Sequence, residues 1–107
     1  MKLFVNKEIF ATDIKIASGF LEKLSGIIGQ NSPVLLKNTN SIHTFFLQKN
    51  LNIYFLDKNG TVIKTYEDFP PNKIIFPVKN AVCVLECYST KENSGKIKSG
   101  DKTEITE

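Results

Sequence analysis

The single histidine, His43, is the residue in this sequence best suited to chemistry near neutral pH. Beside a thiol it would form a Cys–His nucleophile pair, because residues distant in sequence can meet in space. His43 is therefore the candidate catalytic residue of a small hydrolase-like enzyme, with Cys83, Cys87 or a bound water as nucleophile. No Gly-x-Ser-x-Gly elbow accompanies it, so a serine triad has no support. The same ring has a plainer reading, in which it hydrogen-bonds a backbone carbonyl or a buried side chain and fixes its loop. One histidine with no carboxylate cluster nearby predicts no metal site, and no cofactor is implied.

Cys83 and Cys87 fall on one side of an apolar strand, four residues apart. At strand rise their Cα atoms would lie roughly 13 Å apart, beyond the reach of a disulfide. Cys-x-x-x-Cys is not a zinc-ribbon spacing either, so two buried, reduced thiols are expected.

Asn52 is the other informative polar residue. It interrupts Leu51–Leu56, the most apolar stretch in the chain. A buried amide without a partner costs about 1–3 kcal/mol, so Asn52 needs either a polar cavity or a bonded neighbour such as His43 or Thr44. These residues, with Glu86, define the expected binding pocket: His43, Thr44, Asn52 and Glu86 around one open concavity, with His43 and Asn52 close enough to share a hydrogen bond.

The elements that would position them follow from periodicity. Lys2–Val5 and Glu8–Ala11 read as strands around Asn6-Lys7, and alternation continues through Phe10, Thr12, Ile14 and Ile16. Ser18 is a fair N-cap, and Phe20, Leu24, Ile27 and Ile28 recur at helical spacing. This predicts an amphipathic helix over Ser18–Ile28 packed on a sheet. Val34–Leu36 is a short strand. Leu51–Leu56 and Thr61–Tyr66 flank Asn59-Gly60 and predict a hairpin. Pro70-Pro71 excludes the Asp68–Asn72 segment from a central strand. Lys73–Phe76 is an edge strand, Ala81–Tyr88 a covered central one, and Thr103–Thr106 closes the sheet. The fold class expected is α+β and β-dominant. The architecture expected is a mostly antiparallel sheet, or partly closed barrel, of seven to nine short strands with one helix across it.

At 107 residues with 41% hydrophobic and 23% charged side chains, the chain reads as a single globular domain, 1–107. No apolar run approaches the roughly 20 residues that span a bilayer. The N-terminus shows no signal-peptide pattern, so a cytoplasmic protein is expected. The net charge is +3 and every basic residue is lysine. Without arginine's bidentate fork, specific nucleic-acid binding is not expected.

Ser41–Ile63, reading SIHTFFLQKNLNIYFLDKNGTVI, resembles the signature of domain-of-unknown-function family 192, a bacterial and archaeal family. Ile16–Phe20 and Lys23–Ile27 resemble its early helix, which usually carries an arginine at the Lys23 position. Phe76–Ala81 with Val84-Leu85-Glu86 resembles its Pro-x-x-x-Ala…Val-Leu-Glu segment, and Ile97–Asp101 its closing Gly-Asp turn. Taken together, these matches run in order along nearly the whole chain, as in a short form without a signal peptide. Leu47, Asn50 and Asn52 stand where the family has methionine, proline and aspartate. The resemblance implies a β-rich fold with a helix across it and implies no reaction. The sequence as a whole points to a non-enzymatic binding or accessory module for a small molecule or a protein partner. A hydrolase-like enzyme and a purely structural module are the alternatives.

Overall fold

A computed structural model describes residues 1–19, 23, 27–28 and 31–107. The first two strands, β1 (Lys2–Val5) and β2 (Glu8–Ala11), form a hairpin. Asn6 and Lys7 turn it with φ of 50° and 69°. Positive φ at both central residues makes a turn whose twist matches its strands. The expected continuation of this strand through Ile14 breaks at Thr12–Ile14, where the chain changes sheets. Ile14 N–H donates to Met1 O at 3.1 Å, and Lys15 N–H to Pro33 O at 3.0 Å.

The remaining strands are β3 (Lys15–Ala17), β4 (Val34–Lys37), β5 (Ile42–His43), β6 (Leu51–Leu56), β7 (Val62–Phe69), β8 (Ile74–Ile75), β9 (Cys83–Tyr88) and β10 (Thr103–Thr106). A five-stranded sheet runs β3-β4-β9-β6-β7, a three-stranded sheet β10-β1-β2, and β5 pairs with β8 in a two-stranded ribbon. Only β3 and β4 are parallel among the paired strands described.

β6 and β9 sit inside the large sheet, and all six residues of β6 are buried. Alternation sends Leu51, Ile53 and Phe55 to one face and Asn52, Tyr54 and Leu56 to the other. Register carries the division across the sheet, pairing Ile53 with Glu86 and Asn52 with Cys87. Val84, Val34 and Leu36 join the first face, beneath the β5–β8 ribbon and Ile27. Leu85, Cys87 and Leu35 join the second face, beneath Leu3, Val5 and Ile97. The sheet is therefore filled on both sides, which accounts for the near-continuous apolar character of β6 and β9.

The Asp57–Gly60 turn joins the sheets. Asp57 Oδ1 accepts the N–H groups of Asn59 and Thr61 at 2.9 and 3.0 Å. Gly60 O accepts both Thr103 N–H and Thr103 Oγ1–H, at 2.9 and 2.7 Å. Gly60 has φ of +81°, and a Cβ there would lie 2.8 Å from Thr103 O, so only glycine fits.

Four expectations are corrected. The class is β rather than α+β, because the described residues are nearly all strand, turn or loop and contain no helical element. The expected helix over Ser18–Ile28, with its Leu24, falls largely outside the described residues. Within that stretch Lys23 N–H donates to Gly19 O at 3.0 Å, a bond of four-residue spacing. The sheets are open rather than a partly closed barrel: among the described strands β3 and β7 are the edges of the large sheet, and an isolated bridge from Thr61 to Lys102 links it to the small one. The described strands number ten, not seven to nine, because β5 has only two residues, too short a run to show a period; β8 lies within the expected Lys73–Phe76 strand. Finally, β7 runs on to Phe69, with Pro70 immediately beyond its end, where the missing donor does no harm.

Candidate functional site

A cleft of about 310 Å³ opens on the first face of the large sheet. Its floor is Glu86. Its walls are Ile27, Leu36, Ile42 and Leu47, and its mouth carries Lys23, Asn38, Ser41 and His43.

Glu86 lies there because β9 alternates. It shares a face with Val84 and takes Val34 and Ile53 as cross-strand neighbours. The residue is 4% exposed. Its carboxyl has no hydrogen-bond or ion-pair partner among the described residues. No fully buried polar side-chain atom among those residues lacks a partner, so the Glu86 oxygens must keep contact with solvent, and the cleft is the way out. Removal from water pushes its pKa up to about 7. At neutral pH the floor of the cleft is thus a carboxyl divided between its neutral and charged forms.

His43 reaches the mouth from β5, whose other residue, Ile42, is anchored in the core. Its Nδ1 accepts the N–H of Phe45 at 3.3 Å, which places the proton of a neutral ring on Nε2. The ring stacks on Phe45 with centroids 4.9 Å apart. The mouth loop is held by backbone bonds. Thr39 N–H donates to Val82 O at 2.9 Å, Val78 N–H donates to Asn40 O at 2.8 Å, and Asn38 has φ of 53°. Lys23 Nζ lies 3.5 Å from Asn38 O.

Of the four residues expected in one pocket, the structure brings together His43 and Glu86. Thr44 is fully buried and committed elsewhere. Its Oγ1 donates to Pro70 O at 2.8 Å and accepts Lys73 N–H at 2.9 Å. It pins the Pro70–Lys73 loop to β5.

Asn52 faces the opposite side of the sheet and makes no bond to His43. The β6–β7 register breaks between Leu51 and Ile53. There Asn52 Oδ1 accepts the N–H of Asp68 at 2.9 Å, supplying the acceptor that the bulge removes from the ladder. Its Nδ2 donates to Asn93 Oδ1 at 3.0 Å. Asn93 in turn donates to Tyr88 O at 2.8 Å and accepts Thr90 N–H at 3.0 Å. Tyr54 OH on the same face donates to Glu67 at 3.3 Å, and Glu67 also accepts Gly95 N–H. Burial, then the charges of Cys87 and Glu67, hold the Tyr54 phenol far above its usual range.

Cys83 and Cys87 are free thiols, and both belong to the second face. Burial foremost, then the charges of Glu67 and Glu86, push the Cys87 thiol up to about 12. A protonated thiol across the sheet from His43 cannot serve as its nucleophile.

Sequence reasoning missed Asn93, Lys23 and Asn38. Asn93 is an unremarkable turn residue by sequence, and its partner Asn52 lies 41 positions away. Glu86 carried a usable signal, a lone carboxylate inside an apolar strand.

Among the described residues no helix is long and apolar enough to cross a membrane. No family model matches the chain, and no curated protein matches it. Two solved structures share the fold. A protein of unknown function from Novosphingobium aromaticivorans DSM 12444 superposes with a TM-score of 0.72 at 18% identity, over 91% of this chain and 76% of the other. A protein from Sinorhizobium meliloti 1021, described as a candidate transcription regulator, superposes with a TM-score of 0.75 at 16% identity, over 91% of this chain and 84% of the other. At these identities the likeness establishes the architecture, and the chain is similar to both in fold alone.

Proposed function

We propose that this protein is a small-molecule-binding domain whose site is the Glu86 cleft. One observation carries the reading: Glu86 is 4% exposed, faces the cleft and has no partner among the described residues. A buried carboxyl without a hydrogen bond costs stability, and natural cores seldom keep one. A ligand group that donates to it would restore what burial removed.

Resemblance to family 192 belongs to the same reading. Its matching segments include Ile42–Thr44 and Val84–Glu86, which contribute Ile42, His43 and Glu86 to the lining of the cleft. Heteronuclear NMR with a fragment library tests the binding. Amides of Asn38–Phe45 and of β9 should shift with a bound fragment, and the shifts should vanish in Glu86→Leu. Shifts that persist in that variant, or that map to the second face, would overturn the site.

A second reading is favoured by the pairing of His43 with a carboxyl poised near pH 7 in one cleft, a combination suited to acid/base work. It requires ester turnover that is lost in both His43→Gln and Glu86→Gln. Turnover surviving in either variant removes this reading.

A further inference from the structure

Building on the cleft as a binding site, we infer that its ligand is an amino-acid-sized zwitterion whose amine pairs with Glu86 and whose carboxylate meets Lys23 and His43. Three features of the cleft lead there. Its volume of about 310 Å³ is at the small end of ligand sites. Its charge is polarised, with one acid on the floor and the basic groups Lys23 and His43 at the mouth. Between floor and mouth the walls are aliphatic, from Ile27, Leu36, Ile42 and Leu47, and suit a short methylene chain.

The floor sets the demand on the buried end. Val34 from β4 and Ile53 from β6 flank Glu86, and neither offers a donor side chain. The ligand itself must bring the hydrogens. An ammonium group brings three, together with the opposite charge, and a charge-assisted bond is about twice as strong as a neutral one. The mouth sets the demand on the outer end. There the Lys23 ammonium and the His43 Nε2–H both donate, and a carboxylate accepts from both. A ligand of the reverse polarity would set its anion on Glu86.

Calorimetric titration of the whole protein with 5-aminopentanoate, pentanoate, pentylamine and pentane-1,5-diol separates the possibilities. At pH 7.5, 5-aminopentanoate should bind at least about tenfold tighter than pentanoate or the diol, a margin typical of one charge-assisted bond. The preference should collapse in Glu86→Gln, a neutral variant of the same shape. Ammonium binding needs the ionised carboxyl, so wild-type affinity should fall roughly twentyfold between pH 7.5 and 5.5. The titrations are repeated in His43→Gln and Lys23→Gln, because these two groups share the cleft with Glu86. The pH dependence should persist in both variants while affinity for the carboxylate end weakens.

Equal binding of the diol or of pentanoate would overturn the zwitterion and leave the cleft as a binding site for another ligand. Binding of none of the four also overturns it, and the fragment screen then decides separately whether the cleft binds anything.

Discussion

The two faces of the five-stranded sheet treat buried polar groups in opposite ways. On the second face Asn52, Tyr54, Glu67 and Asn93 form a network in which the amide of Asn52 and the phenol of Tyr54 both have partners. On the first face the carboxyl of Glu86 has no partner among the described residues. Asn52 and Tyr54 lie on β6 and Glu86 on its neighbour β9, both inside the sheet, so strand position does not explain the difference. The second face is closed by the three-stranded sheet and the turns after β9. The first is roofed by a two-residue ribbon and a loop, which leave a cleft. A satisfied network rigidifies a fold, and an unsatisfied acid beside an opening marks a place where something else can bind.

The largest expected effect is on the closed face. Asn52→Leu removes the acceptor of Asp68 N–H and the donor to Asn93 Oδ1 together. The orphaned Asp68 N–H costs about 1–3 kcal/mol and Asn93 Oδ1, which keeps Thr90 N–H, loses one bond worth about 1 kcal/mol, so a loss of up to about 4 kcal/mol is expected by chemical denaturation. A loss below about 1 kcal/mol would mean that water replaces the side chain and that this face is not closed.

A smaller effect of opposite sign is expected on the open face. The carboxyl of Glu86 titrates near 4.5 in an unfolded chain and near 7 when folded. Between these values the folded state holds the extra proton, so stability falls as pH rises and the loss is complete above about pH 7. At about 1.4 kcal/mol per pH unit the loss amounts to about 3 kcal/mol. Glu86→Gln should match the wild type near pH 4 and exceed it by about 3 kcal/mol at pH 8. Parallel stability profiles for the two proteins would mean that the acid is already paired, and the contrast between the faces would be lost.

The smallest effect lies at the outer rim of the open face. Phe46 has φ of +68° and is 84% exposed. Phe46→Gly relieves the backbone and removes few contacts, so a gain of about 0.5–1 kcal/mol is expected. A loss instead would show that the ring covers apolar surface beside Ile28 and Leu47.

Local rules were enough for much of this molecule. Apolar runs located β6 and β9, short strand-like segments around Asn6-Lys7 located β1 and β2, and Asn59-Gly60 located the central hairpin. The demand of Asn52 for a partner was also legible, because a polar side chain between Leu51 and Ile53 cannot be left unbonded. The class was misjudged because the spacing of Phe20, Leu24, Ile27 and Ile28 suits a helix, a period that describes one segment and says nothing of how much of the chain shares it.

Which partner Asn52 found, and on which face, depended on strand register. Side chains alternate with a period of two, so a shift of one residue between β6 and β9 would have set Asn52 beside Glu86 and next to the cleft. The observed pairing of Asn52 with Cys87 sends it to the other side. That pairing was settled by how the apolar residues of five strands pack against two separate covers, a contest among residues far apart in sequence. The four amino acids around Asn52 could state the need for a hydrogen bond, but only the folded chain could bring Asn93 and Asp68 to meet it.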